Sequence, residues 1–167
     1  MKKAPLLLLL ALFLDGCARY TLGPATPGYL KKIHTIAVPT FGNTTLIPRI
    51  EVLVTSTVIK QFQQDGTFRI VNADAADATL KAEITGVGRA PARSLRGNVL
   101  ATTEFNLVLS VKYTLIGRDG QVLSPGAASG STNFFVGNDI NTDERQALPL
   151  AAEEMARHLV SQLSEGW

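Results

Sequence analysis

The chain has 167 residues, 16 Lys and Arg against 14 Asp and Glu, and a formal net charge of +2. With 46% hydrophobic and 18% charged residues it is too apolar for a disordered chain. It is also too evenly charged to hold nucleic acid through a bulk field, and its length suits one domain with a single core.

The N-terminus comes first. Met1-Lys2-Lys3 is a short basic start, and Leu6 to Leu14 is an apolar run of nine residues. A membrane-spanning helix needs ~20 such residues, so this run is too short to span and reads as an export signal. The tetrad Leu14-Asp15-Gly16-Cys17 resembles the bacterial lipobox, in which the cysteine sulfur is acylated and the chain is cut just before it. Leu14 and Gly16 fit that pattern, and Asp15 departs from it. Cys17 is the only cysteine in the chain. An exported protein enters an oxidising space, where a lone thiol is a liability, and acylation would consume it. Each buried methylene of an acyl chain contributes ~0.8 kcal/mol to anchoring, so several chains hold firmly. The expected organisation is a lipoprotein signal peptide over 1–16, a lipidated N-terminus and linker over 17–30, and one folded domain over 31–167. Gly23, Pro24, Pro27 and Gly28 give the linker its chemistry.

Ile33 to Val38 predicts a short, mostly buried strand that Pro39 stops. Phe41-Gly42-Asn43-Thr44-Thr45 predicts a turn, and Pro48 suits the first turn of a helix. Ile50, Leu53, Val54, Val58 and Phe62 recur at helical spacing, and Asp65-Gly66 ends that helix. Phe68 to Val71 predicts a second strand parallel to the first, joined by a crossover. The next stretch alternates with period two. Leu80, Ala82 and Ile84 alternate with Lys81, Glu83 and Thr85. Phe105 to Leu115 alternate with Asn106, Val108, Ser110, Lys112 and Thr114. One greasy face and one mostly polar face follow. Arg118-Asp119-Gly120 is a hairpin turn, and Gln121 to Val136 returns as a strand. Pro125-Gly126 argues that this strand lies at an edge or carries a bulge. Asn141 is placed to cap a last helix, with the apolar stripe Leu148, Ala151, Ala152, Met155, Leu159 and Leu163. Pro149 should kink this helix or mark its first turn, and Gly166 ends it. The predicted fold class is an α+β two-layer sandwich: a mixed, mostly antiparallel sheet with two amphipathic helices packed on one face.

Catalytic chemistry is not legible. The two histidines read as a satisfied strand residue, His34, and a solvated residue complementing a helix end, His158. One cysteine and two distant histidines leave no expected metal site and no disulfide. Gly86-Val87-Gly88-Arg89-Ala90-Pro91 starts like a dinucleotide loop but ends in proline with no helix after it. Asp74 and Asp77 read as loop and strand-start residues. No cofactor is expected, and the chain reads as a binding or assembly protein, not an enzyme.

Two features stand out as candidates. Arg89, Arg93 and Arg96 lie in a stretch without acids, expected to be the loop joining the two long strands. Such a cluster suits phosphate binding, protein contact, or plain solvation. Phe134-Phe135 has one ring facing each way on a strand, so one of them is an interface anchor or second-face packing.

Several segments in order resemble one family. Tyr20-Thr21-Leu22 follows the lipobox cysteine. Ile33 to Thr45 comes next, then Asp65-Gly66-Thr67-Phe68-Arg69-Ile70. Ala76-Asp77-Ala78-Thr79-Leu80 opens a strand, and Leu163-Ser164-Glu165-Gly166-Trp167 closes the chain. This order is similar to the lipopolysaccharide-assembly lipoprotein LptE family, over nearly the whole mature chain. The resemblance implies two helices on a sheet, and an anchor in the periplasmic leaflet of the outer membrane. It implies partnership with LptD, a large β-barrel that such proteins plug, and with lipopolysaccharide. Lys81, Thr85, Asn106, Lys112, Phe134 and Phe135 are the barrel-contact candidates, and Arg89, Arg93 and Arg96 the lipid-phosphate candidates. The Ile-Ala-Val-Pro-x-Phe-x-Asn-x-Thr opening is also similar to outer-membrane lipoproteins that activate cell-wall synthases and to curli-type secretion lipoproteins, which gives the alternative reading.

Overall fold

A computed structural model describes residues 27–95 and 98–166, the side chains of 94–102 excepted. Cys17, Arg96 and the expected signal segment lie outside the described residues. The first turn, Gly28–Leu30, is already part of the folded unit, because Leu30 is fully buried.

Strand β1 is Thr35–Ala37 and β2 is Gly42–Asn43. Helix α1 covers Ile50–Asp65, and β3 is Arg69–Ile70. Three long strands follow: β4, Ala78–Leu95; β5, Asn98–Gly117; and β6, Val122–Phe135. Helix α2, Ile140–Ser164, closes the fold. The strands form one six-stranded sheet in the order β3-β1-β4-β5-β6, with β2 paired beside β4. β1 is parallel to β3 and β4, as the crossover requires, and β4-β5-β6 is an antiparallel meander. The mixed sheet with two helices on one face is the predicted α+β sandwich.

Local chemistry sets the boundaries. Gly66 ends α1 with a positive φ of 78°, and its N–H bonds the Phe62 carbonyl at 3.0 Å. α1 begins at Ile50, after Arg49 in the left-handed region at φ 64°, so Pro48 lies outside the helix and not in its first turn. Asp139, and not Asn141, caps α2: its carboxylate accepts from the Asn141 N–H at 3.0 Å and from the Thr142 hydroxyl at 2.6 Å. α2 runs through Pro149 without ending there. Pro125 does lie on an edge strand, as its missing N–H demands.

The core lies between the helices and the inward face of the long strands. Leu80, Ile84, Leu107, Leu109, Val111 and Leu115 point into it, met by Val54, Val58 and Phe62 of α1 and by Ala151, Met155 and Leu159 of α2. Phe62 and Phe68 meet edge to face at 6.2 Å. α2 approaches β6 so closely at Gly130 that a Cβ there would run into the Ala151 carbonyl and the Met155 backbone. Only glycine fits. The Tyr113 ring lies over Gly126 in the same way, and its hydroxyl donates to Gln162 Oε1 at 2.8 Å.

Gly130→Val should destabilise the fold by about 3 kcal/mol in urea unfolding, because helix or strand backbone must move. Gly88→Ala, where a Cβ meets nothing within 4 Å, should stay near wild type. Equal effects would mean that α2 does not rest on Gly130.

Candidate functional site

The sheet's second face carries no helix among the described residues. Alternation places Lys81, Glu83 and Thr85 of β4 there, with Asn106, Ser110, Lys112 and Thr114 of β5. β6 adds Ser129, Ser131, Asn133 and Phe135. Lys112 stands opposite Glu83, and Lys81 opposite Thr114. Asn106 Nδ2 donates to Asn133 Oδ1 at 2.8 Å, and the Thr85 hydroxyl donates to the Ser110 carbonyl at 3.3 Å. The face is a mixed lattice of both charge signs, amides and hydroxyls. It suits a polar, hydrogen-bonding surface better than an apolar one.

The structure gathers five of the six barrel-contact candidates on this face: Lys81, Thr85, Asn106, Lys112 and Phe135. Phe134 is the exception. It is buried, stacks on Phe105 at 5.9 Å, and belongs to the core. Phe135, paired opposite Glu104, is 68% exposed.

The arginines do not sit on a loop. β4 runs to Leu95, so Arg89 and Arg93 are strand residues paired with Leu107 and Glu104. Glycine, proline and small residues suggest a loop, but the ladder to β5 overrides them. The pairing slips at Ile84/Gly86 and again at Pro91/Arg93. These slips turn Arg89 toward the helices and Arg93 toward the open face. Arg89 reaches Glu144 of α2 at 2.5 Å and lies 5.8 Å from the centre of the Phe105 ring. Arg93 Nε lies 3.5 Å from Glu104 and stays mostly exposed. Arg93 is therefore the freer of the two for an anionic ligand. Beyond the Glu104–Phe135 pair, β4 and β5 continue as a two-stranded ribbon with no third strand among the described residues.

Three polar arrangements were not legible beforehand. Asp77 Oδ2 accepts from the Thr35 hydroxyl at 2.8 Å and from the N–H groups of His34 and Thr35. The Thr35 hydroxyl, then the two amides, hold its carboxyl below its ordinary value of 3.8. Glu154 accepts from the Ser131 N–H, which lowers its pKa in the same way. One helical turn on, His158 Nδ1 lies 2.7 Å from the Ser129 carbonyl. His158 is thus no helix-end complement. With Glu154 it covers part of the open edge of β6, which would otherwise offer unpaired backbone groups to another strand. The i, i+4 spacing of Glu154 and His158 was visible in the sequence; the strand edge they meet was not.

Among the described residues no helix is long and apolar enough to cross a membrane, and no group of three His, Cys, Asp or Glu could hold a metal ion. The arrangement offers binding surfaces. Among the described residues it brings no nucleophile and base together.

An α+β sandwich with one polar sheet face bare, this chain shares its fold with several proteins of known structure, two lipoproteins among them. It is similar to the PelC dodecamer subunit of Paraburkholderia phytofirmans, at 20% identity and TM-score 0.51, covering 86% of this chain and 94% of that one. It is similar to a minor lipoprotein of Acinetobacter baumannii, at 14% identity and TM-score 0.53, over 80% and 94% of the two chains. A Xanthomonas campestris protein matches at 12% identity and TM-score 0.55, over 89% and 92%. These likenesses concern the fold. No curated protein sequence matches the chain. The LptE model, described as lipopolysaccharide-assembly, matches residues 33–163, and the chain belongs to that family.

Asp77→Asn should lower the melting temperature at neutral pH. Asp77, Asp139 and Glu154 all have depressed pKa values in the folded state, so their stabilisation is present above the ordinary carboxylate range. It is lost as pH falls through the folded values. The gap between wild type and Asp77→Asn should therefore close on acidification. A gap that stays constant to low pH would mean that the Asp77 carboxylate charge is not what holds β1 to β4.

Removing both Glu154 and His158 by alanine substitution should increase self-association, read by light scattering. An unchanged monomer fraction would mean that the β6 edge is protected by other means.

Proposed function

We propose that this protein is an outer-membrane lipoprotein, anchored through acylated Cys17 in the periplasmic leaflet. Its role is to plug and help assemble an LptD-type β-barrel that passes lipopolysaccharide to the cell surface. Family membership over residues 33–163 carries this reading, and the bare polar sheet face supports it. The lumen of a large membrane barrel is polar, and a plug inside it must present hydrogen-bonding groups rather than an apolar patch. Lys81, Thr85, Asn106, Lys112 and Phe135 are the proposed contacts.

The ends of the molecule fit this role. A Cβ on Gly166 would meet Pro27, so the described chain starts beside the C-terminus of α2. Gln162, in the last turn of α2, bonds Tyr113, whereas Glu144, in its first turns, bonds Arg89. The described chain therefore begins, at Pro27, at the end opposite the β4–β5 ribbon, and a tether through Cys17 would hold that end. From Tyr113 to the start of β5 at Asn98 is roughly 50 Å of strand. Arg93, where β4 enters that ribbon, lies far from this end of the molecule. In this reading Arg93 and Arg96 meet lipid phosphate in transit, not the headgroups of the leaflet that holds Cys17.

The decisive experiment is a detergent pull-down of the tagged full-length lipoprotein, with partners identified by mass. A stoichiometric large β-barrel is expected, and recovery should fall sharply for the double change Lys81→Glu and Lys112→Glu. Full barrel recovery by that variant would remove the sheet face as the contact. A cell-wall synthase or a homo-oligomer, with no barrel, would overturn the plug reading in favour of the alternative.

A further inference from the structure

The loop between β2 and α1 is built with unusual care for a surface connection. Asn43 Nδ2 donates to the Ile47 carbonyl and to Glu51 Oε2, both at 3.0 Å. Asn43 Oδ1 accepts from the Thr45 N–H at 2.9 Å and from the Thr45 hydroxyl at 2.7 Å. The Thr44 N–H and hydroxyl both donate to the Ile84 carbonyl, at 3.1 and 2.8 Å. One asparagine thus pins the loop to α1, and one threonine pins it to β4. What this frame holds out is apolar. Leu46 is fully exposed, and Pro48 is exposed beside it. Arg49 follows with its left-handed backbone at φ 64°, the one non-glycine residue of positive φ among those described. Held backbone of that kind gathers at binding sites.

The loop forms one wall of an open groove of about 580 Å³. Leu46, Ile47, Pro48 and Leu53 line that side, and Leu148 lines the other. Two guanidinium-bearing side chains, Arg49 and Arg145, stand at the groove, and both residues are exposed. Among the described residues neither has a carboxylate within ion-pair distance. The acids nearby have other partners: Glu144 pairs with Arg89, Glu51 accepts from Asn43, and Asp139, which also feels the charge of Arg145, accepts from Asn141 and Thr142. A groove of this size with apolar walls and a few converging polar groups has the make-up of a small-molecule site. The surplus charge is positive and both cations are of the phosphate-binding kind. An apolar bed ending at two exposed arginines outside any ion pair among the described residues matches an acyl chain ending in an anionic head.

We infer that this groove binds a single anionic acyl lipid, its chain along Leu46, Ile47, Pro48 and Leu148 and its head between Arg49 and Arg145. The site lies on the helix layer, apart from the bare sheet face and from Arg93. It deepens the lipid reading above and rests on it only for the presence of acyl lipid. The barrel pull-down and the binding test below fail separately.

The test is photolabelling of the full-length lipoprotein in micelles of uncharged dodecyl maltoside. The probe is dodecyl phosphate with a diazirine near its chain end. Label is expected on residues 46–53 and 145–148, falling about tenfold in Arg145→Glu and in Leu46→Asp, and holding in Arg93→Glu. Neither Arg145 nor Leu46 is buried, so both variants should keep the wild-type melting temperature and barrel recovery. Unlabelled dodecyl phosphate should compete. Label spread elsewhere, or unchanged in both groove variants, would overturn the site. Competition by inorganic phosphate as strong as by dodecyl phosphate would leave an anion site without a chain site and overturn the lipid. Equal labelling by an uncharged dodecyl maltoside analogue would overturn the anionic head.

Discussion

Helix α2 lies backbone against backbone on an edge strand, and much of the molecule is arranged around that contact. At Gly130 there is no room for even one methyl group between β6 and the helix. The small residues Ala151, Ala152 and Ala156 complete the close approach, all of them buried. At that distance a helix can use its polar side chains on the strand's own backbone. Glu154 and His158 reach past the core to Ser131 and Ser129. Farther along, Gln162 meets Tyr113 and Glu144 meets Arg89. One close contact therefore fixes the helix in two directions, over the sheet and along it. It also shields an edge that would otherwise be open to strand pairing.

The second consequence is asymmetry. Because both helices are spent on one face, the other face has no apolar partner among the described residues and carries Lys, Glu, Ser, Thr and Asn in alternation. A sheet with one wet face is stable on its own only if that face satisfies its polar groups with water or with neighbours. Here cross-strand pairs such as Asn106 with Asn133 do part of this. The same groups can exchange water for the polar wall of a partner at little desolvation cost, which is what the proposed plug role asks of them.

Charge follows the architecture rather than the composition. A net charge of +2 says nothing of where cations gather. The fold neutralises Arg89 against Glu144 and holds Glu104 beside Arg93. It leaves Arg49 and Arg145 at an apolar groove on the helix layer. Cations that look alike in sequence thus have three different fates: folded into the core's margin, exposed on a projecting ribbon, or set at the mouth of a groove.

The sequence determined the helices, the long strands and the division of the sheet into two faces, because period-two and period-3.6 patterns are local; it read Gly42–Asn43 as part of a turn, where long-range pairing with β4 makes them strand β2. Phe105 to Leu115 told buried from exposed residues correctly, and Leu148 to Leu163 told the buried stripe of α2. It also carried the family likeness and the edge position of Pro125. It misread the stretch from Gly88 to Leu95, where glycine and proline signal a loop, since strand pairing with β5 is a long-range interaction that no local pattern records. It could not divide Phe134 from Phe135, because the two differ only in register. Nor could it place Arg89 and Arg93 on opposite faces, since that rests on two slips in pairing along a ladder. The groove between Leu46 and Leu148 brings together residues about a hundred positions apart. Only tertiary packing, which turns sequence distance into a shared surface, decides such a site.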